Sequence, residues 1–147
     1  MTWLYESKPI DENILESYVG FVYCISNLED NKKYIGKKLL KFKKSKQVKG
    51  KKKRYLVDSD WRTYWGSNKN LIADVDEIGE GKFIREILRL CKSKSECNYY
   101  ELREQMIRDV LLKPEEYYNS YVGTRINRQH ILRSLSFTIS FYTLSSL

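Results

Sequence analysis

The sequence predicts a single α+β domain with a small central three-stranded antiparallel sheet flanked by helices. Strand-type residues, aromatic and β-branched, are concentrated in short segments that turn-forming residues separate. Two other segments begin with residues that cap helices, and one of them carries apolar residues at helical spacing. A chain of 147 residues suits one domain with its own hydrophobic core.

The first two predicted strands form a hairpin. Gly20–Ser26 is rich in aromatic and β-branched residues, and Asn27–Asn31 has the composition of a turn. Lys32–Gly36 then reads as the second strand. This arrangement places Tyr23 and Tyr34 on adjacent strands.

The rest of the predicted domain contains two helices and a third strand. Ser67 is the expected N-cap of a helix that runs through Ile78. Lys82–Cys91 is interpreted as the third strand, although its pattern also fits a helix. Ser93–Glu96 forms a capping box, which predicts a helix of about five turns that ends before Pro114.

The positive charge is concentrated in one segment. Between Lys37 and Arg54 there are eleven basic residues and no acidic ones, whereas the rest of the chain has 16 basic and 19 acidic residues. This distribution favours a polyanion partner, although a solvated and partly disordered charge run is the alternative. We expect a mobile loop or arm that contacts phosphates more than bases. The residues assigned to nucleic-acid contact are Lys37, Lys38, Lys41, Lys43, Lys44, Lys51, Lys52, Lys53 and Arg54.

The cysteines and the N-terminus favour a cytoplasmic protein, in the host cell if the source is viral. Cys24, Cys91 and Cys97 form no paired framework, and with one histidine in the chain they form no zinc pattern. Met1 is not followed by a recognisable signal peptide, and no apolar run reaches the length of a membrane span. No membrane partner is expected.

Two tyrosines eleven residues apart carry a resemblance. Tyr23 follows Gly20-Phe-Val, and Tyr34 begins the motif Tyr-Ile-Gly36. These motifs resemble those of the GIY-YIG nuclease family, although Phe21-Val-Tyr23 departs from the family's Gly-Ile-Tyr. The segment from Trp61 to Asn68 resembles a phage-encoded branch of that family, so the resemblance suggests a phage or mobile-element protein.

Two downstream residues extend the resemblance to about Arg128. Glu104, which is followed by an amide side chain, resembles the family's metal-binding glutamate. Asn119 lies fifteen residues later and resembles the family's late asparagine. The resemblance implies a DNA endonuclease with one Mg²⁺ or Mn²⁺ per site, held by Glu104. It also implies that Tyr23 or Tyr34 is the general base, and the sequence leaves open which one.

A free tyrosine has a pKa of about 10, so a tyrosine base needs a nearby cation. The family places an arginine on the scissile phosphate, and here Arg62 is the first choice, with Lys38 and Lys44 as rivals. The family's histidine has no counterpart at its usual place, and either Tyr64 or His130 could substitute for it.

The predicted organisation has three parts. Residues 1–18 form an N-terminal arm, residues 19–130 the nuclease domain with a basic insertion at 37–56, and residues 131–147 a tail. The expected partner is DNA, duplex rather than single-stranded, and the protein is expected to be a monomer or weak dimer. The alternatives are a non-catalytic nucleic-acid-binding accessory or repressor protein of the same fold, and an RNA nuclease.

Overall fold

The computed structural model describes residues 2–123 and 126–129 and shows an α+β fold. Two short 3₁₀ turns, Trp61–Thr63 and Glu80–Lys82, lie between the longer elements. In chain order the elements are β1 (Leu4–Tyr5), β2 (Lys8–Pro9), α1 (Glu12–Leu15), β3 (Gly20–Asn27), β4 (Lys33–Leu39), β5 (Lys41–Val48), β6 (Lys51–Asp58), α2 (Lys69–Ile78), β7 (Phe83–Cys91), α3 (Lys94–Ile107), β8 (Tyr121–Val122) and β9 (Ile126–Asn127).

The main sheet has five strands in the order β2-β1-β7-β3-β4. Its three long strands, β7, β3 and β4, are antiparallel neighbours and correspond to the three predicted strands. The sheet is larger than predicted because β1 pairs in parallel with β7, and β2 pairs with β1. These extra strands have two residues each, which is too short for an alternation of apolar residues to be visible in the sequence.

Strand β3 is the centre of the core and is buried on both faces. Phe21, Tyr23 and Ile25 point to one face, where they pack with residues of α2 and with Trp3 of the predicted N-terminal arm. Val22 and Cys24 point to the opposite face, which α3 covers. Successive strand residues face opposite sides, so both halves of the core depend on this one strand.

The basic segment is a paired hairpin in the structure, so the expectation of a loop was wrong. Strands β5 and β6 pair over their whole length, from Lys41 with Asp58 to Val48 with Lys51. Lys49 and Gly50 turn the chain with φ values of 50° and 74°, as a two-residue hairpin turn requires. The many lysines concealed the alternation of apolar residues that would have predicted two strands.

Both helix predictions are right in place but differ at the ends. Asn68, rather than Ser67, caps α2, since its side chain accepts from the backbone N–H groups of residues 70 and 71. Ser93 caps α3 as predicted, but that helix ends at Ile107, well before Pro114. Asp109 follows with a positive φ of 50°, which a continuing helix does not allow.

The predicted tail 131–147 and His130 lie outside the residues that the structure describes. Among the helices within the described ranges, none combines the length and apolar character needed to cross a membrane.

Candidate active site

The candidate site lies along β4, which is the last strand of the main sheet. A chain segment after α3 covers the outer edge of this strand. The backbone N–H of Lys33 donates to the carbonyl of Glu116 at 2.9 Å, and the N–H of Tyr118 donates to the carbonyl of Lys33 at 2.8 Å. The segment therefore runs parallel beside the start of β4.

Asn119 continues this pairing with its side chain. Its Oδ1 accepts from the N–H of Ile35 at 3.0 Å, and its Nδ2 donates to the carbonyl of Ile35 at 2.8 Å. Nε2 of Gln105 on α3 donates to the same carbonyl at 3.1 Å. Both amides are buried, so they hold the β4 backbone at the position between the second tyrosine and the glycine of its motif.

The two motif tyrosines contact each other but differ in exposure. Their ring centroids are 6.1 Å apart. Tyr23 is 1% exposed and packs edge-on against Trp3, with ring centroids 5.2 Å apart. Tyr34 lines an open cleft, and its hydroxyl shares a 3.1 Å hydrogen bond with Ser67. The structure thus places Tyr34 at the surface and Tyr23 behind it.

Two glycines make room for this pair. A Cβ at Gly36 would lie 2.5 Å from the hydroxyl oxygen of Tyr23, so no other residue fits there without displacing that ring. Gly66 has a φ of 87°, and a Cβ there would lie 3.2 Å from the Tyr34 ring. The packing of Tyr23, the tyrosine of the first motif, therefore requires a glycine at position 36 in the second motif.

Burial keeps both hydroxyls protonated. Desolvation raises the pKa of Tyr34 to about 12, and the negative charge of Glu101 adds to this rise. The pKa of Tyr23 is raised well above its usual value, mainly by burial and then by the neighbouring Tyr34. Both side chains are therefore neutral near pH 7 unless a cation arrives beside them.

The cleft has a volume of about 670 Å³ and brings polar groups of four chain segments together. Its wall includes Tyr34, Lys37, Ser67, Glu101, Gln105 and Asn119. Nζ of Lys37 lies 2.5 Å from Oε2 of Glu101, and the two side chains are 33% and 21% exposed. This ion pair supplies the charged groups of the cleft wall, and both members remain accessible to solvent.

Glu101 and Gln105 provide oxygen atoms suited to a hard divalent cation. They lie four residues apart on one face of α3. Oε1 of Gln105 is buried and has no hydrogen-bond partner among the atoms of the described chain. Within residues 2–123 and 126–129 no group of three acidic, histidine or cysteine side chains forms a metal cluster. The residues present fit a Mg²⁺-type site with one carboxylate, in which water molecules complete the coordination.

Glu104, which the sequence pattern favoured as the metal ligand, does not line the cleft. It pairs with Arg108, the residue that follows α3, and Arg103 lies 3.9 Å away. Neighbouring positions on a helix do not share a face, so Glu104 cannot point where Gln105 points. The four-residue spacing of Glu101 and Gln105 was the sequence signal for the helix face that lines the cleft.

The cations chosen for the scissile phosphate also lie elsewhere. Arg62 forms a two-pronged ion pair with Glu12, at 3.0 and 2.7 Å, on a different part of the surface. Lys38 is buried, and its Nζ lies 2.5 Å from Asp60 and 3.9 Å from the centre of the Tyr64 ring. The third candidate, Lys44, is on the β5–β6 hairpin. Among the described residues that line the cleft, Lys37 is the basic one.

Arg85 positions the aromatic segment that leads to the cleft. Its guanidinium donates to the carbonyls of Arg62 and Tyr64 at 3.1 and 2.9 Å. It lies between the rings of Trp3 and Trp65, 4.7 and 4.3 Å from their centres. The segment is thereby attached to β7 before it reaches the turn that carries Ser67. Tyr64 contacts Tyr23 edge-on and does not line the cleft.

Comparison with known proteins identifies the family of this chain. Residues 3–122 match the family described as "Putative endonuclease segE, GIY-YIG domain". The chain belongs to this GIY-YIG family, which confirms the resemblance drawn from the two tyrosine motifs. It is similar to the protein described as "Putative endonuclease segE" of Enterobacteria phage T4, with 33% identity over 103 residues. The aligned region covers 70% of this chain and 41% of that relative, so the chain spans about two fifths of its length. No solved structure matches the chain.

Proposed function

We propose that this domain is an endonuclease that hydrolyses phosphodiester bonds of DNA with the help of one Mg²⁺ or Mn²⁺ ion. The observation that carries the proposal is the meeting of Tyr34, Lys37 and Glu101 in one cleft of a GIY-YIG domain. Phosphodiester hydrolysis needs a base for water, a positive charge near the phosphate and help for the leaving oxygen. The three side chains correspond to these requirements once a divalent ion is present.

Glu101 is the proposed metal ligand, in place of Glu104. A divalent ion held there would neutralise charge on the phosphate and assist the leaving oxygen. Glu101 is partly exposed, and its present partner, Lys37, is a flexible side chain that can move to another anion. The ion would therefore bind Glu101 and the phosphate would bind Lys37, and the ion pair between these two side chains would break.

Tyr34 is the proposed general base, since it is the motif tyrosine that lines the cleft. Its phenolate would take a proton from water as the water oxygen bonds to phosphorus and the bond to the leaving oxygen breaks. Its pKa of about 12 must fall for this role, and the positive charge of a divalent ion bound at Glu101 would lower it. Ser67, which already shares a hydrogen bond with Tyr34, would keep the hydroxyl pointed into the cleft.

Tyr23 and Asn119 are proposed as positioning residues. Tyr23 is buried behind Tyr34 and supports its ring. The two side-chain groups of Asn119 are both engaged with Ile35, which holds the strand that carries Tyr34 and Lys37. Loss of either residue would misplace the reacting groups, and even a small displacement of reacting atoms lowers rates strongly.

A non-catalytic DNA-binding protein is the second candidate. It is favoured by one observation, that neither Arg62 nor Lys38 lines the cleft where a phosphate-binding arginine was expected. Such a protein would use the same basic hairpin but would cleave nothing. An RNA substrate is tested in the same assay by replacing the nucleic acid.

Plasmid nicking with a matched pair of variants tests the proposal. Wild type should nick supercoiled DNA with Mg²⁺ or Mn²⁺ and should stop when EDTA is added. Glu101→Gln should lose at least 100-fold in rate, on the order expected for removal of a group that acts in the transition state. Glu104→Gln changes the same residue type on the same helix, outside the cleft, and should retain activity within about threefold.

Two results would contradict the assignment. If wild type binds plasmid but does not nick it with any metal ion tested, the domain is a binding protein. If Glu104→Gln abolishes nicking while Glu101→Gln does not, the metal ligand is the one that the sequence pattern first favoured.

A further inference from the structure

The β5–β6 hairpin is a ribbon that extends away from the main sheet. Each strand has eight residues, which at about 3.3 Å per residue makes the ribbon about 26 Å long. Of the sixteen strand residues, fifteen are exposed and one, Val57, is half-buried. The root is closed by Ser59, whose N–H and hydroxyl donate to the carbonyls of Leu40 and Leu39. A two-stranded ribbon of this kind has no second layer over either face.

The alternation of residues divides the ribbon into two chemically different faces. The face that we call the ring face carries Phe42, Val48, Tyr55 and Val57. Phe42 lies opposite Val57 in the pairing, and Lys46 lies 5.6 Å from the centre of the Tyr55 ring. Cross-strand apolar pairs are what stabilise an isolated hairpin. The ring face therefore holds the ribbon together.

The opposite face, which we call the polar face, carries one exposed apolar residue, Leu56, together with groups that can recognise bases. Ser45 is paired directly with Arg54, and Gln47 is paired with Lys52, so the four side chains form one patch. Arginine forms paired hydrogen bonds with guanine, glutamine does so with adenine, and serine bonds to either. The ribbon has one glutamine, Gln47, and one arginine, Arg54, and both lie on this face in its outer half.

The charges indicate how the ribbon would meet a nucleic acid. Each face carries four basic residues, and the turn adds Lys49, whereas the strands contain one acid, Asp58, at the root. A surface that lies flat on one phosphate chain needs positive charge on one side. A ribbon inside a groove has phosphates on both walls, and long lysine side chains of both faces can reach them.

We propose that the β5–β6 ribbon enters the major groove of duplex DNA with its polar face toward the base edges, and that Arg54 and Gln47 select the sequence. This inference rests on the proposed function, in that DNA is taken as the substrate. The major groove of B-form DNA is about 12 Å wide and admits a two-stranded ribbon. The corresponding groove of duplex RNA is too deep and narrow for side chains to read, so duplex RNA should be a poor ligand.

Binding measured in EDTA tests the inference without cleavage. Wild type is first used to select its preferred site from a library of randomised DNA duplexes, and its affinity for that site is compared with a scrambled duplex. The polar-face variant combines Arg54→Lys with Gln47→Ala, which keeps the net charge. The ring-face variant combines Lys51→Ala with Lys53→Ala, which removes two charges and leaves both reading residues. Circular dichroism checks that both variants unfold at the wild-type temperature.

The two variants should fail in different ways. Wild type should prefer its site by about 5- to 150-fold, and the polar-face variant should bind both duplexes almost equally. The ring-face variant should keep the preference but weaken on every sequence, and its slope of log affinity against log salt should fall by about two.

Three results would overturn the inference: no selectable site for wild type, a preference that survives in the polar-face variant, or tighter binding to single strands or duplex RNA. The proposed function is tested separately. A wild type that prefers one site but never nicks DNA keeps the inference and removes the nuclease proposal. A wild type that nicks DNA but shows no sequence preference supports the nuclease proposal and contradicts the inference about the ribbon.

Discussion

At the scale of single residues, the two motif tyrosines differ in burial, and the different roles proposed for them rest on that difference. Tyr23 and Tyr34 have the same chemistry and occupy adjacent strands, so the sequence could not separate them. The structure places Tyr34 in the cleft and Tyr23 behind it. A base must reach the proton that it removes, and for this reason Tyr34 is the one proposed as the base.

The pKa of Tyr34 gives a prediction that needs no activity. Tyrosinate absorbance of wild type minus that of Tyr34→Phe, without metal, should show a midpoint near pH 12. The folded-state pKa is raised above the unfolded value of about 10, so the stabilisation from the neutral hydroxyl is fully present below pH 10. It should be lost as the pH rises through 12. A midpoint at or below 10 would remove the argument that a cation is required.

Gly36 allows a second prediction, because its hydrogen side chain leaves space for Tyr23. Gly36→Ala should destabilise the domain by about 1–3 kcal/mol, the usual cost of overpacking a core. The added Cβ would lie 2.5 Å from the Tyr23 hydroxyl, and a ring that is 1% exposed has little room to move. Urea unfolding followed by tryptophan fluorescence measures the change. Gly81→Ala is the control, since nothing lies within 4 Å of its Cβ position.

At the scale of elements, the orientation of α3 on the sheet determines which of its glutamates lines the cleft. The helix and its Ser93 cap were predicted from the sequence, but its hydrophobic side is poorly marked, because tyrosines and charged residues occur around the whole helix. The choice between Glu101 and Glu104 therefore depended on how α3 docks on the sheet. Docking turns Glu101 and Gln105 toward β4, and Glu104 toward Arg108.

The hairpin turn provides a third prediction. Gly50 has a φ of 74° and open space around it, so only its backbone conformation restricts the residue type. Gly50→Val should cost about 1–2 kcal/mol locally and increase amide hydrogen exchange in β5 and β6. The urea midpoint of the rest of the domain should not change. Lys49→Asn is the matched control, since asparagine tolerates the positive φ of 50° found there, and it should leave exchange unchanged or slower.

At the scale of the whole molecule, Tyr118 joins three parts of the fold. Its hydroxyl donates to Asp74 of α2 at 2.7 Å and accepts from Asn27 of β3 at 3.0 Å. Its backbone carbonyl accepts from Asn68, the cap of α2, at 2.8 Å. The segment that covers β4 is thereby attached both to the sheet and to the helix that follows Ser67.

Removal of this hydroxyl gives a fourth prediction. Tyr118→Phe should destabilise the domain by about 1–3 kcal/mol, because the buried amide of Asn27 loses its partner. Thermal unfolding by circular dichroism measures the loss. Tyr99→Phe is the control, since Tyr99 is 63% exposed, and its change should be within about 0.5 kcal/mol. Equal stability of the two variants would mean that the hydroxyl of Tyr118 does not stabilise the contact between α2 and β3.

The sequence by itself determined the elements that are marked by local chemistry. Strand composition predicted β3, β4 and β7, and capping residues predicted the starts of both long helices to within a residue or two. The tyrosine motifs were sufficient to indicate the family, which the match over residues 3–122 confirms. These features depend on residues close together in the chain, and that is why they could be read without a structure.

The tertiary structure alone decided which charged groups share the cleft with Tyr34. Lys37 and Glu101 are 64 residues apart, and their meeting depends on the angle at which α3 packs against β4. Packing also places Arg62 and Lys38 outside the candidate site, where each forms an ion pair with an acidic residue. Side-chain partners across the fold follow from packing, which no local pattern of residues encodes.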